Sequence, residues 1–589
     1  MESVPLETGA THGRADWERL AAAVLRKSGR LADDAPDADV WARLTRRTLD
    51  GIAIPPLGTP DLLSGLVSSG RPTRNGDWDI RPVHADPDAT ATKQAVLADL
   101  ENGATSVWLQ VGEHGLALAD LVTVLEPVLL DLAPVILEAP GDQLEVAQAF
   151  ATLARGTQLA DGTNLGVDPV GAAIRTGGFS AAMSSRHTHG LVEPAGRLAT
   201  ELGCLAVVVD GTVVHDLGAS DVQELGYVAA VGAGYLRELV EAGHDVDAAA
   251  SLIEFRLAAT DEQFPTIAKL RAARRLWARV LELSGAGTGS MRLHAVTSRP
   301  MMSRYDPWVN MLRTCVATFA AGVGGADAVT VLPFDAPIGL PDNASRRIAR
   351  NTSSLLVAES HVGAVADPAG GSHLVEKLTD DLAVAGWAEL GLLETAASGD
   401  EHGSLAGLAG LEDRIGAVVA ERDRQVATRK RPLTGLSEFP NLHESLPERT
   451  PYAGGGLPVK PYGHAFEELR AAPVEPKVYL ATMASVAAHT ARATFATNLL
   501  AAGGIDVVNE GAHDDVDAVL AHYNGEPVVC LVGADAAYAE WGTPLAEALR
   551  AAGARWVVVA GKPLEGCDDN CAAGVDALEF LTRTREQLR

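Results

Sequence analysis

Cys204-Leu-Ala-Val-Val-Val-Asp210 is a short apolar run, rich in β-branched residues, that ends on a carboxylate. The amphipathic segment 220–242 follows it. A strand of this length feeding a helix is the unit of parallel sheets. The unit recurs in both directions along the chain. Ser106-Val-Trp-Leu-Gln-Val precedes a helical pattern over 118–132, and Pro134-Val-Ile-Leu-Glu precedes one over 146–153. Met291-Arg-Leu-His-Ala-Val-Thr and Ala328-Val-Thr-Val-Leu-Pro each lead into a further helix. Repetition from about residue 95 to 400 predicts a parallel (β/α)8 barrel rather than an open sheet.

The barrel is assigned to 71–420 and preceded by an N-terminal helical arm, 1–70, in which Trp17, Leu20, Val24 and Leu25 recur at helical spacing. Residues 421–475, rich in Arg, Lys, Pro, Gly and Glu, read as a linker. After it, Val478–Met483, 527–532 and 555–560 are apolar strand-like runs, which predicts a doubly wound, flavodoxin-like domain over 476–589.

At 589 residues the chain exceeds one hydrophobic core, so several domains are expected. Its formal charge of −29 would repel nucleic acid and anionic membrane, and neither is expected as a partner. No apolar run is long enough for a membrane span, and Met1-Glu-Ser-Val-Pro-Leu-Glu-Thr lacks the pattern of a signal peptide. Five cysteines are too few for a disulfide framework, so a cytoplasmic protein is expected. Cys567 and Cys571 have a spacing used for zinc but no second pair of ligands nearby, and they read as ordinary loop cysteines.

Three runs in order carry a family resemblance: Lys269-Leu-Arg-Ala-Ala-Arg-Arg-Leu-Trp-Ala-Arg, Asp306-Pro-Trp-Val-Asn-Met-Leu-Arg-Thr-Cys-Val, and Arg347-Ile-Ala-Arg-Asn-Thr continuing through Ala366-Asp-Pro-Ala-Gly-Gly-Ser-His-Leu-Val-Glu-Lys. With the barrel and the C-terminal domain, they resemble the methylmalonyl-CoA mutase family over about 70 to 589. Physically, Asp306-Pro307 reads as a helix start. Trp308, Leu312 and Val316 share one face, and Gly370-Gly371 permits a tight turn after a strand. Core packing is the expected role of most of these residues.

Catalytic members of such a family isomerise acyl-CoA by radical chemistry that adenosylcobalamin supplies. Position by position, this chain departs from them. The family's Trp-x-Ile-Arg-Gln-Tyr-Ala-Gly becomes Trp78-Asp-Ile80-Arg81-Pro82-Val83-His84-Ala85, so the tyrosine position is Val83. Aligned on Gly218-Ala219, the family's histidine position is Val213, with His215 two residues on if the strand continues. The inward serines that leave a channel for pantetheine are matched by Ala206, Val208 and Asp210, which implies a narrowed or closed channel and an unfavourable carboxylate. The cobalamin loop Asp-x-His-x-x-Gly becomes Ala487, His489 and Arg492. There the carboxylate that would orient the histidine is gone, and a bulky cation stands where the nucleotide tail would thread. His489 therefore reads as a solvent-facing loop histidine, with cobalt ligation the weaker candidate role. The family's Gly-Gly pair is Ala560-Gly561, and its Ser-x-Leu turn is replaced near Gly533-Ala-Asp-Ala. His294 corresponds to a family histidine but Val296 replaces the glutamine beside it, and Arg175 is an uncertain match for a substrate-carboxylate arginine.

The resemblance thus implies a non-catalytic small subunit that keeps the fold and loses the chemistry. It would form a heterodimer with a catalytic large subunit that holds adenosylcobalamin and interconverts (R)-methylmalonyl-CoA and succinyl-CoA in propionate metabolism. No catalytic, cofactor-binding or metal residue is expected in this chain. Two alternatives stand beside this reading. One is an active acyl-CoA mutase with altered pocket residues, using His215 and His489. The other is a binding module that aids cobalamin loading, which the lack of a Gly-x-x-x-x-Gly-Lys-Ser/Thr run disfavours.

Overall fold

The computed structural model describes residues 13–66, 70–183, 190–395 and 407–589. The stretch 1–12, which includes the segment read for a targeting signal, lies outside them. Among the described residues no helix is long and apolar enough to cross a membrane.

Nine parallel strand segments form one curled α/β sheet, consistent with a parallel β/α barrel. They are β1 (Asp79–Ile80), β2 (Val83–His84), β3 (Val107–Gln110), β4 (Val135–Glu138), β5 (Asn164–Val167), β6 (Leu205–Asp210), β7 (Ile253–Ala259), β8 (Arg292–Thr297) and β9 (Ala328–Thr330). Their order is β1-β9-β8-β7-β6-β5-β4-β3-β2. The two edge segments are halves of one stretch, 79–84: β1 pairs with β9, and β2 pairs with β3. Pro82 has no N–H to continue a ladder, which explains the break between the halves.

β5, β7 and the pair β1/β2 escaped the sequence reading. β7, Ile253-Glu-Phe-Arg-Leu-Ala-Ala, is buried along its whole length yet carries two charged residues, so it does not look like a buried strand in sequence. Register alignment puts Glu254 and Arg256 level with Val208 and Asp210 of β6, on the inner face of the curl. Phe255 points the other way, onto Trp277 of the helix Gln263–Leu283, with ring centroids 4.6 Å apart. Helices such as Asp221–Glu241, started by a capping box of Ser220 and Gln223, cover the outside.

Several expectations are corrected. The pattern over 118–132 is a short 3-10 turn, Leu118–Asp120, and a helix, Leu121–Leu125, because Pro127 has no N–H to continue the helical hydrogen-bond ladder. Asp306 does not cap a helix: its φ is 47°, and the helix begins only at Val309. Trp308, Leu312 and Val316 are not core residues, being 52%, 68% and 36% exposed. Gly371 does make a turn with positive φ, but no strand precedes it.

A second parallel sheet lies in the C-terminal region: β10 (Val478–Thr482), β11 (Val507–Val508), β12 (Val528–Val532), β13 (Trp556–Ala560) and β14 (Asp569–Cys571). Its order is β11-β10-β12-β13-β14, with hydrophobic clusters on both faces. Cys571 packs in one cluster and Cys567 against the other, so the two thiols sit on opposite sides of the sheet.

Candidate functional site

The inner face of the large sheet is filled by an ion-paired network. Arg81 is wholly buried; its Nη1 reaches Glu254 Oε1 at 3.1 Å and Oε2 at 3.0 Å, and its Nε donates to Asp79 at 2.9 Å. Arg256, one β7 residue pair further along, donates to Asp210 at 3.0 Å and Glu138 at 3.3 Å. Its guanidinium lies 3.9 Å from the ring centre of Trp108, which meets His294 edge-on at 5.4 Å. His294 closes the ring through a 2.8 Å hydrogen bond with Thr330. Burial, then the cations Arg81 and Arg256, push the His294 pKa well below its ordinary value, so the imidazole stays neutral.

Ala206, Val208 and Asp210 do line the inner face, as expected, but the stopper is of a different kind. Branched side chains do not fill the axis; an aromatic ring and opposed charges do. The void bounded by Val208, Asp210, Arg175 and Arg256 measures about 20 Å³, close to one water. Burial alone would raise Asp210, yet Arg256 and Arg175 hold it well below the usual carboxylate range. Arg175 is spent on this contact: it donates to Asp210 at 2.7 Å and lies 4.0 Å from Glu138.

The remaining positions separate. Val83 opens β2 and is half-buried, while His84 is buried beside Asp99 at 3.6 Å, its pKa lowered to about 3 by burial and then Arg346. β6 stops at Asp210, and Val213 and His215 belong to a helical turn, Thr212–Asp216. The strand therefore does not carry His215 inward. His215 is buried, bonds Ser298 at 2.7 Å, and is pushed well below its ordinary pKa by burial and then Lys269. Val296 is buried on β8.

In the C-terminal sheet the segment expected as a loop is helical. Ala487, His489 and Arg492 lie in the first turns of the helix Val486–Ala502, and His489 is 5% exposed rather than solvent-facing. Its Nδ1 meets the Ala484 carbonyl at 3.3 Å. Arg492 bridges from this helix to the end of β12. It bonds the Gly533 carbonyl and Asp535, and its guanidinium lies 4.9 Å from the ring centre of Tyr538. The Tyr538 hydroxyl accepts from the Gly533 N–H at 2.9 Å and lies 2.8 Å from the Ala560 carbonyl. β10 and β12 are where the strand order reverses, and ligands of open α/β sheets bind in the crevice there. Here Arg492 and Tyr538 occupy it.

Sequence reasoning did not single out Trp108, Glu254 and Arg256. Their signal was charge at alternate positions, 254 and 256, within an otherwise apolar strand. Also unforeseen is a cleft of about 410 Å³ at the C-terminal ends of the strands, between Gln110, Arg299, Leu332 and the segment 451–461.

Fold and site together define an α/β protein of β/α-barrel type whose axis is closed by buried ion pairs. The family model described as methylmalonyl-CoA mutase matches residues 78–452. A methylmalonyl-CoA mutase small subunit from Streptomyces virginiae is 44% identical, the match covering 98% of this chain and 97% of that protein. One from Propionibacterium freudenreichii subsp. shermanii is 36% identical, over 97% of this chain and 94% of that one. A methylmalonyl-CoA mutase large subunit from Streptomyces virginiae is 36% identical over 40% of this chain and 32% of its own length. The chain belongs to the methylmalonyl-CoA mutase family, a family of isomerases.

Proposed function

We propose that this chain is the non-catalytic small subunit of a heterodimeric, adenosylcobalamin-dependent methylmalonyl-CoA mutase. Its role is to stabilise a catalytic large subunit that interconverts (R)-methylmalonyl-CoA and succinyl-CoA. The observation that carries this reading is the ion-paired axis. An acyl-CoA arm along it would have to displace Arg81, Glu254, Arg256 and Trp108, each at most 2% exposed. Uncovering such charges costs several kcal/mol per ion, far beyond an ordinary binding contact. The family positions Val83 and Val213 carry no group able to transfer a proton.

Cobalamin does not fit the C-terminal crevice as these residues fill it. His489 has no carboxylate at Ala487 to orient it, and Arg492 lies across the path of a nucleotide tail. The cofactor is then held by the partner. Relatives named as small and as large subunits, both similar to this chain, support a pairing of related chains with matching surfaces.

In this reading the chain divides into an arm (1–70), an eight-stranded barrel (71–420) in which 79–84 counts as one strand, a linker (421–475) and a flavodoxin-like domain (476–589) with strand order 2-1-3-4-5, acting in the cytoplasm.

The test is a spectroscopic titration with adenosylcobalamin of the chain alone, of the large subunit alone, and of the two together. Retained cofactor and turnover only where the large subunit is present support the proposal. A histidine-ligated cobalt spectrum in the isolated chain, abolished by His489→Ala, overturns it.

A further inference from the structure

The cleft above the strand ends has no part in the reading just given. Gln110 closes β3; Arg299, Met302 and Arg304 follow β8; Leu332 and Ile338 follow β9. The outer wall comes from Tyr452, Leu457 and Val459. At about 410 Å³ it lies in the range of small-molecule sites and dwarfs the void of about 20 Å³ beside Val208 and Asp210. The C-terminal ends of parallel barrel strands are also where ligands gather in this architecture.

Its lining is mostly apolar, with few polar groups, and those are mainly donors. Arg299 engages Asp216 through Nη1 at 3.0 Å, which leaves the rest of its guanidinium without a hydrogen bond among the described residues. The Arg304 guanidinium stands at the exposed rim with no hydrogen bond or ion pair among the described residues. Glu467 is the one lining carboxylate; it accepts the Arg304 backbone N–H at 2.7 Å, and burial pushes its pKa up. Tyr452 stays protonated, its pKa pushed to about 12 by burial, and so remains a hydroxyl donor. His114 is fixed through Nδ1 by the Ala453 carbonyl at 3.3 Å. Close beneath it Gly454 has φ 60°, and a Cβ there would sit 2.6 Å from the ring. The wall is thus built tight against the barrel at that point.

We propose that this cleft binds a small organic carboxylate with an apolar body, the carboxylate held by Arg299 and Arg304 and the body packed on Met302, Leu332, Ile338 and Leu457. Guanidinium forks suit a carboxylate in geometry and charge. The closed axis sets the size limit: the ligand has to fit the cleft alone. The inference stands whether or not the chain acts as a subunit.

Isothermal titration of the full chain with sodium octanoate tests it, with octan-1-ol and inorganic phosphate as controls for the tail and the charge. Octanoate is expected to bind saturably, one per chain, and at least about tenfold more tightly than either control. Arg304→Gln, at an exposed position, should weaken it about tenfold. Ala336→Trp, which fills the cleft, should abolish it with the urea midpoint unchanged. No saturable octanoate binding to the folded wild type overturns the proposal. So does octanol or phosphate binding as tightly, or octanoate binding that survives both substitutions.

Discussion

Nη1 of Arg81 sits between the two carboxylate oxygens of Glu254, at 3.1 and 3.0 Å, with both side chains at most 1% exposed. One residue comes from the broken edge segment and the other from the start of β7, so the pair spans the interior of the curl. A buried ion pair is a weak source of net stability, but removing one partner strands the other charge. Arg81 keeps Asp79 at 2.9 Å, so Glu254→Gln is expected to cost about 2–3 kcal/mol in urea unfolding of the large-sheet region. A loss below about 1 kcal/mol would mean that water reaches Arg81 and that the axis is not sealed.

Asp168 gives a pH dependence of opposite sign to ordinary acid denaturation. Burial raises its pKa to about 7, although Tyr235 donates to it at 2.6 Å and Gly171 at 3.1 Å. The folded state then binds a proton that the unfolded chain releases near pH 4, so this group's contribution falls as pH rises from about 4 to about 7. Asp168→Asn keeps an acceptor for Tyr235 and Gly171 and cannot ionise. Its urea midpoint should vary less between pH 5 and 7.5 than that of the wild type, and parallel profiles would refute the assignment.

Arg492→Gly removes the cation from the crevice between β10 and β12 and leaves Tyr538 there. It removes the bonds to the Gly533 carbonyl and to Asp535, the latter 77% exposed, and places glycine inside the helix Val486–Ala502, so a cost of about 1.5–2.5 kcal/mol is expected. Hydrogen exchange should accelerate at Gly533 and around Tyr538, whose ring loses its cation. Exchange rates unchanged there would show that Arg492 does not hold the crevice closed.

Val208→Ser with Val213→His introduces polar groups at two buried positions. No mutase turnover is expected from the isolated double variant, because Trp108 and Arg256 still fill the axis and Val213 sits in a helical turn. Conversion of methylmalonyl-CoA in an isotope-exchange assay would contradict this.

Leu312 is 68% exposed, one turn along from Trp308. Leu312→Gln should change the stability of the isolated chain by less than about 0.5 kcal/mol, whereas a core position would cost several times more. Equilibrium denaturation distinguishes the two.

The alternation of apolar runs with helical patterns was legible because strand and helix periods are local properties. That suffices for β3, β4, β6, β8 and β9, and for β10, β12 and β13. β7 was not legible, since Glu254 and Arg256 look like surface residues until Arg81 and partners from β4 and β6 are brought around them. The helix face of Trp308, Leu312 and Val316 failed in the opposite direction: hydrophobicity predicts burial only when another layer arrives to cover it.

Sequence by itself determined the parallel α/β class and the family, because both depend on residue identity in order along the chain. Tertiary structure alone decided what fills the axis of the large sheet and the crevice of the small one. Arg256 neutralises Asp210, and Arg492 fills a crevice, only because folding joins residues 46 and 41 positions apart. A charge at such a site is affordable only when its partner is already there, and that is a property of distance in space, not in sequence.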